Sequence, residues 1–300
     1  MESVAGTKIE SRDYKKFIPL NKSWINRMGI LDMIHGYPDI KEFLATQTDL
    51  GDDLIALKRA LEVWNTDEPI DVGESGTLYR ILQFASWKLG LDKKFITRGT
   101  LTERIKRGAI TQDPNIVNLS IGELLNLPEK TTQWATASVL LGNPERLPDA
   151  EHHLAMTFEA VDHWKEKRAQ GAKWEIKYDA TIQAQAEAFL QMTKGLKLAF
   201  LAVQGEDYCF ARAFGYISKE EGEARWPKLH GHETDRLEEM ERVIVLTESG
   251  TPIDSKDHRV VQAMAMWGII NKKELIFTHP EVVNKSWPLF WDFIKEQTKK

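Results

Sequence analysis

The segment from Asp71 to Arg80 joins a short apolar run to an apolar pattern with helical spacing. Two glycines flank Ser75 where a strand would end and a helix begin. Glycine permits a positive φ and a close approach to the backbone, and the first turn of a helix presents unpaired N–H groups and a positive dipole end. The pattern favours a turn that binds phosphate or carboxylate, with Arg80 one helical turn further on. A plain connecting turn is the alternative.

Apolar runs, polar turns and helical patterns alternate along the chain and predict an α/β fold. The pattern predicts short strands at 15–20, 69–72, 95–98, 116–119, 174–178 and 275–277. Ser23 is expected to cap the first helix, which places Ser23 and Arg27 on one side of it. The charged run 165–171 is expected to be a linker.

Composition excludes several classes of protein. A net charge of −5 argues against a general nucleic-acid binder. The single cysteine, Cys209, excludes an internal disulfide and a cysteine-based zinc site. No apolar run reaches the ~18 residues that a membrane span needs, and the polar N-terminus shows no signal peptide. We therefore expect a cytoplasmic monomer that acts on small molecules without a nucleic-acid or membrane partner.

Several predicted helix starts carry a cation nearby, and these cations could gather around one anionic ligand. The cations are Lys22, Arg27, Arg80, Arg104, Arg236, Arg259 and Lys285. Helix dipoles and arginine forks that converge on one cleft would hold phosphates and carboxylates. A scatter of these cations over the surface is the alternative that the residues alone leave open.

The order of these motifs resembles the EPSP synthase (3-phosphoshikimate 1-carboxyvinyltransferase) family. In the first half the motifs are Lys22-Ser23-x-x-Asn26-Arg27, Gly73-x-Ser75-Gly76-Thr77-x-x-Arg80, Glu103-Arg104-Ile105, Thr132-Gln133 and Met156-Thr157. In the second half they are Asp179-Ala180-Thr181, Asp207, Glu233-Thr234-Asp235-Arg236-Leu237, Asp257-His258-Arg259 and Lys285-Ser286-x-Pro288-x-Phe290. The related UDP-N-acetylglucosamine enolpyruvyl transferases fit less well, because they use a loop cysteine and Cys209 lies in an apolar helical pattern.

The resemblance implies a two-domain fold of repeated βαβαββ units, with helices inside a shell of sheet and a reduced second domain. It implies that the first, acceptor-side domain covers residues 21–172. The second, phosphoenolpyruvate-side domain would combine residues 1–20 with 173–300, and the active site would lie in the cleft between them.

The resemblance also implies the reaction and the residues that perform it. The family transfers the enolpyruvyl group of phosphoenolpyruvate to the 5-hydroxyl of shikimate 3-phosphate and releases phosphate, with no metal and no organic cofactor. The implied catalytic residues are Lys22, Asp207 and Glu233. The implied phosphoenolpyruvate-binding residues are Lys22, Gly76, Arg104, Gln133, Arg236, Arg259 and Lys285. The implied shikimate 3-phosphate-binding residues are Lys22, Ser23, Arg27, Thr131, Thr132, Gln133, Asp207 and His232.

The chain departs from the family pattern in length and at several positions. It is shorter, Glu74 stands where asparagine is usual, and His232 stands where lysine is usual. Ala150 and His153 replace residues that touch the acceptor. Two other functions therefore stay open, which are enolpyruvyl transfer to another acceptor and non-catalytic binding of an anion or a partner. Asp207 as a helix cap and Glu233 as a first-turn acid are the corresponding structural interpretations.

Overall fold

The computed structural model describes residues 14–129, 131–196, 207–226, 229 and 234–298, and most of them are helical. The helices of the first half are α1 (Lys22–His35), α2 (Asp39–Ala45), α3 (Asp52–Val63), α4 (Gly76–Lys88), α5 (Gly99–Lys106), α6 (Ile121–Leu125), α7 (Gln133–Leu140) and α8 (His152–Ala169). Those that follow are α9 (Ala180–Thr193), α10 (Tyr208–Ala213), α11 (Lys219–Arg225), α12 (Arg236–Ser249), α13 (His258–Ile270) and α14 (Phe290–Thr298). None of the described helices is both long and apolar enough to cross a membrane.

The two strands found among the described residues form one small parallel sheet. Strand β1 (Ile70–Gly73) pairs with β2 (Phe95–Thr97), and α4 connects them as the crossover helix. The register slips by one residue between Asp71 and Gly73, and Gly73 has a φ of +56°, which glycine adopts without strain. The predicted strands at 69–72 and 95–98 are therefore confirmed, as is the strand–turn–helix at 71–80.

The other predicted strands are not formed, so repeated βαβαββ units are not confirmed among the described residues. Segment 15–20 overlaps a 3₁₀ helix (Tyr14–Phe17), and segment 116–119 overlaps another (Pro114–Asn118). Segments 174–178 and 275–277 each contribute one isolated bridge residue, in the pairs Leu20–Tyr178 and Ile253–Phe277. A short apolar run becomes a strand only when a neighbouring strand completes its hydrogen bonds, and sequence spacing does not supply that neighbour.

The hydrophobic core falls into two clusters. The first runs from Trp24 to Trp174 and fills the space between α1, α3, α4, α7, α8 and the sheet. The second combines Tyr14 and Ile18 with residues from Ile182 to Phe293. The indole N–H of Trp287 donates to the Phe17 carbonyl at 2.7 Å and ties the N-terminal segment to this second cluster. The division into domains of residues 21–172 and residues 1–20 with 173–300 stays a prediction.

The predicted linker at 165–171 is wrong for most of its length, because α8 continues through Ala169. Lys167 and Arg168 lie in the last turn of α8, where the helix dipole favours cations. Arg168 also pairs with the buried Asp32 at 2.5 Å and with Asp39 at 2.5 Å. These ion pairs hold the end of α8 against α1 and α2.

Residues 19–21 and the start of α3 both contact the region of the second core cluster. Residues 19–21 run antiparallel to 177–179, with hydrogen bonds from the Asn21 N–H to the Lys177 carbonyl (2.8 Å) and from the Asp179 N–H to the Pro19 carbonyl (2.9 Å). The start of α3 also faces a 3₁₀ helix (Pro280–Lys285). A Cβ added at Gly51 would lie 3.0 Å from the Asn284 carbonyl oxygen and 3.1 Å from that of Lys285. The close approach at this point therefore favours glycine, because both neighbouring atoms belong to the backbone.

The substitution Gly51→Ala should lower the free energy of unfolding by about 1–3 kcal/mol, because backbone carbonyls cannot turn away from the new methyl group as a flexible side chain can. Gly122→Ala in α6 is the control, since an added Cβ there meets nothing within 4 Å. The control should leave the stability unchanged or raise it by up to about 1 kcal/mol. Urea denaturation followed by circular dichroism measures both. Equal midpoints for the two variants would show that the contact between Gly51 and the 3₁₀ helix is not tight.

Candidate functional site

The turn between β1 and α4 places two guanidinium groups beside a helix N-terminus. Ser75 is the N-cap of α4 and accepts a hydrogen bond from the Leu78 N–H at 3.4 Å. Gly76 is the first residue of the helix, and a Cβ added there would lie 3.2 Å from Arg80 Nη1 and 3.7 Å from Arg104 Nη1. Glycine at this position therefore leaves the backbone and two arginine side chains close together, which is an arrangement that favours an anion.

A buried ion pair fixes the orientation of Gln133. Arg80 is 2% exposed, and its Nε donates to Glu129 at 2.8 Å. Arg80 Nη1 donates to Gln133 Oε1 at 2.8 Å, while the Gln133 amide nitrogen donates to the Thr77 hydroxyl at 2.7 Å. Gln133 thus spans from α7 to the first turn of α4. The sequence placed Arg80 one turn beyond the predicted anion-binding turn but missed its partner Glu129, since nothing in the spacing of these two residues links them.

Lys22, Asp53 and Lys285 meet where α1, α3 and the 3₁₀ helix Pro280–Lys285 come together. Lys22 Nζ lies 2.8 Å from Asp53 Oδ2. Burial alone would raise the pKa of Asp53, but the charges of Lys22 and Lys285 and hydrogen bonds from Lys22 and Ser75 lower it below its ordinary value. Asp53 is therefore ionised at neutral pH. The hydrogen bond from Ser75, the N-cap of α4, to Asp53 places the two lysines beside the start of α4.

Two further carboxylates, Asp52 and Glu74, lie next to this group of charges, where Asp52 is affected by Asp53, Lys285 and Glu74. Burial, followed by the neighbouring charge of Asp53, raises the pKa of Asp52, and Glu74 adds to this effect. Glu74 itself accepts hydrogen bonds from the Thr100 N–H (3.3 Å) and hydroxyl (3.1 Å) at the start of α5, and it lies directly against Gly99. The unusual Glu74 is thus paired with a helix N-terminus.

On α1, the predicted capping role of Ser23 is wrong, because Asn21 is the N-cap and accepts from the Trp24 N–H at 3.0 Å. The Ser23 carbonyl instead accepts from Arg27 Nη1 at 2.7 Å. Asn21 and Ser23 lie two residues apart, and both residue types are common helix caps. The sequence therefore does not say which of them is the cap, and the backbone geometry decides it.

Arg27 is a buried cation with neutral hydrogen-bond acceptors. Its Nε donates to the Thr157 hydroxyl at 2.9 Å and its Nη2 to the His153 carbonyl at 2.7 Å. Burial lowers the pKa of Arg27 to about 10. Within the part of the chain that the structure describes, no carboxylate forms an ion pair with it.

Thr131 and Thr132 lie at the start of α7. The Thr131 hydroxyl accepts from the Gln133 N–H at 3.3 Å. Thr132 is the N-cap residue and makes no capping hydrogen bond through its side chain. Both threonines therefore adjoin Gln133, and through it the start of α4.

A second polar network lies at the starts of α10, α12 and α13. Arg236 contacts both carboxylate oxygens of Asp257, at 2.8 and 3.3 Å. Arg259 Nη1 lies 3.4 Å from Gln185 Oε1, and the Gln185 amide donates to Asp207 at 3.0 Å. Asp207 is only 4% exposed, and it precedes α10 without capping it through its side chain. Arg236, Arg259 and Asp207 are thus brought together inside the second core cluster.

The predicted site residues that the structure describes form two groups, apart from Ser23 and Arg27 on α1, where Arg27 hydrogen-bonds to the Ser23 carbonyl and to α8. The group at the starts of α3 and α4 contains Lys22, Gly76, Arg104, Gln133 and Lys285, while Arg236, Arg259 and Asp207 form the buried group. A hydrogen bond of 3.2 Å from Gln262 on α13 to Ser286 links the helix that carries Arg259 to the segment that carries Lys285. Glu233 and His232 lie outside the described residues.

The described residues contain no group of three or more His, Cys, Asp or Glu side chains placed to hold a metal ion. His152 and His153 lie side by side, with ring centroids 5.6 Å apart. His230 and His232 lie outside the described residues.

Comparison with known proteins gives one short similarity. A segment of 39 residues is 46% identical to 3-phosphoshikimate 1-carboxyvinyltransferase of Aquifex aeolicus (strain VF5). The match covers 13% of this chain and 9% of the length of that protein. No protein-family model and no solved structure matches the chain. The comparison therefore shows a short, partial similarity to a transferase.

The substitution Glu129→Gln should lower the free energy of unfolding by about 3 kcal/mol, because it removes the charge partner of the buried Arg80. Glu103→Gln is the matched control, since Glu103 pairs with Lys106 on the exposed side of α5. The control should change the stability by less than about 0.5 kcal/mol. Chemical denaturation measures both. Similar values for the two variants would mean that the Arg80–Glu129 pair does not stabilise the site.

Proposed function

We propose that the protein transfers the enolpyruvyl group of phosphoenolpyruvate to the 5-hydroxyl of shikimate 3-phosphate. The observation that carries this proposal is the meeting of Lys22 and Lys285 around Asp53. The two lysines come from opposite ends of the chain and from the regions of different core clusters, yet they lie beside the Gly76 turn. The partial similarity to a 3-phosphoshikimate 1-carboxyvinyltransferase supports the same assignment.

The residues around Gly76 suit phosphoenolpyruvate, which carries a phosphate and a carboxylate. The N-terminus of α4 supplies N–H donors and a positive dipole end. The Arg104 guanidinium can form two parallel hydrogen bonds with either anionic group. Gln133 adds an amide whose direction Arg80 fixes. Lys22 and Lys285 add two ammonium groups, and the proposal assigns Arg236 and Arg259 to the same ligand.

Arg27 suits the acceptor. A buried cation without a carboxylate is costly, since hydrogen bonds to carbonyls and hydroxyls only partly replace its hydration. The phosphate or carboxylate of a bound ligand would offset that cost. We assign Ser23, Thr131, Thr132 and His232 to the same ligand.

The proposed reaction needs proton transfer at two atoms. The acceptor oxygen bonds to C2 of the enol and loses its proton, while C3 gains a proton. The adduct then collapses when C3 loses a proton and the bond from C2 to the phosphate oxygen breaks. We assign Asp207 to the acceptor hydroxyl, and Lys22 and Glu233 to the protons at the enol. The cations stabilise the negative charge on the departing phosphate.

The proposal includes the two-domain arrangement. The first domain would comprise residues 21–172 and the second 1–20 with 173–300, with repeated βαβαββ units reduced to fewer strands. The packing of Tyr14 and Ile18 into the second core cluster supports this division. The paired segments 19–21 and 177–179 would then be the connection between the domains.

A second candidate function is anion binding without catalysis. Two observations favour this candidate. Arg236 forms an ion pair with Asp257, and the buried Asp207 accepts a hydrogen bond from Gln185. These groups already have partners inside the second core cluster, whereas catalysis would require them to face a substrate.

Phosphate release from shikimate 3-phosphate and phosphoenolpyruvate tests the proposal. The unsubstituted chain should release phosphate, and Lys22→Gln should lower the rate about a hundredfold or more, because it removes a cation that stabilises the transition state. Lys41→Gln, at an exposed position on α2, is the matched control and should retain the full rate.

Calorimetric binding of phosphoenolpyruvate separates the candidates. Binding without phosphate release supports the non-catalytic function. Absence of both release and binding rejects the two candidates together.

A further inference from the structure

The carboxylate of Asp53 lies between two ammonium groups of the proposed site. Its Oδ2 is 2.8 Å from Lys22 Nζ, and the charge of Lys285 also acts on it. Ser75 donates a further hydrogen bond from the cap of α4. One carboxylate thus contacts or faces three groups that would otherwise surround an anionic ligand.

The space around Asp53 is too small for such a ligand. The cavity lined by Lys22, Gly51, Asp53 and Lys285 has a volume of about 10 Å³, which is close to the minimum that one water molecule requires. A phosphate group does not fit there while the carboxylate stays in place. Any anion that binds the two lysines must therefore compete with Asp53.

We propose that Asp53 is a specificity-determining residue that acts as a built-in counter-ion and competes with the phosphate or carboxylate of the ligand for Lys22 and Lys285. This inference rests on the proposed function for the identity of the ligand, but not for the competition itself. An anion that contacts Lys22 and Lys285 alone gains little, because it must break the Lys22–Asp53 ion pair. A ligand that also contacts the Gly76 turn and Arg104 recovers that loss through additional charge-assisted hydrogen bonds. The site would thereby discriminate against small anions such as inorganic phosphate.

Stabilisation of α3 is the structural alternative for Asp53, because acids in the first turn of a helix interact favourably with its dipole. Asp52 lies in the same turn and supplies a carboxylate of the same kind. The two residues differ in their contacts, since it is Asp53 that forms the ion pair with Lys22. Helix stabilisation therefore does not account for the position of Asp53 between the lysines.

Calorimetric titration with inorganic phosphate and with phosphoenolpyruvate tests the inference. Asp53→Asn keeps the size of the side chain and removes its charge. It should bind inorganic phosphate about tenfold or more tightly than the unsubstituted chain, because the neutral amide can move aside without breaking an ion pair with Lys22, and one repulsive charge a few ångströms from the ligand is lost. Asp53→Glu, which keeps the charge, should bind as weakly as the unsubstituted chain.

The matched control is Asp162→Asn, which removes the same charge from an exposed carboxylate that pairs with Arg146. Phosphate affinity should stay within about twofold for this control, since a solvent-exposed charge is screened by salt. Equal or weaker phosphate binding by folded Asp53→Asn overturns the inference. If Asp53→Asn does not fold, Asp53→Ser replaces it, and failure of both to fold makes Asp53 a structural residue and likewise overturns the inference.

The outcomes also separate this inference from the proposed function. If Asp53→Asn gains phosphate affinity but the unsubstituted chain does not bind phosphoenolpyruvate, the inference stands and the proposed function fails. If both chains bind phosphoenolpyruvate equally and neither binds phosphate more tightly than the other, the inference fails and the proposed function stands. No binding of either probe by any variant rejects both.

Discussion

The ion pair between Lys22 and Asp53 lies at the junction on which the candidate site depends. It joins the first turns of α1 and α3 at 2.8 Å, and Asp53 also reaches the cap of α4 and the charge of Lys285. Both side chains are largely removed from water, so each charge depends on the other for compensation. The starts of three helices and the end of the Pro280–Lys285 segment are therefore held in one arrangement by electrostatic interactions.

Buried arginines hold the remaining polar groups by the same physical rule. Arg80 pairs with Glu129 and Arg236 with Asp257, because a guanidinium removed from water requires a carboxylate nearby. The buried Asp32 likewise pairs with Arg168, which is partly exposed. Arg27 departs from this rule among the described residues, since its hydrogen bonds go to neutral oxygen atoms. An anionic ligand would therefore supply the first negative charge beside Arg27, whereas at Arg236 it would have to compete with the carboxylate of Asp257.

Residue patterns within a few positions correctly predicted the turn and helix around Gly76, but most of the strands that they predicted are not formed. The strand–turn–helix at 71–80 depends on glycine, on a serine cap and on apolar spacing, all of which act within a few residues. Asp179 and Asp257 likewise cap α9 and α13 through their own side chains. The strands predicted at 15–20 and 116–119 became 3₁₀ helices, because strand formation depends on hydrogen-bond partners from distant parts of the chain.

The sequence by itself determined the turn before α4, the starts of several helices and the residue types that favour an anion. The tertiary structure decided which of those residues meet. It placed Glu129 beside Arg80, Glu74 on the start of α5, and Asp53 between Lys22 and Lys285. Capping and turn formation follow from neighbouring residues, whereas the pairing of buried charges follows from packing, because a charge that loses water takes its partner from whichever segment lies closest.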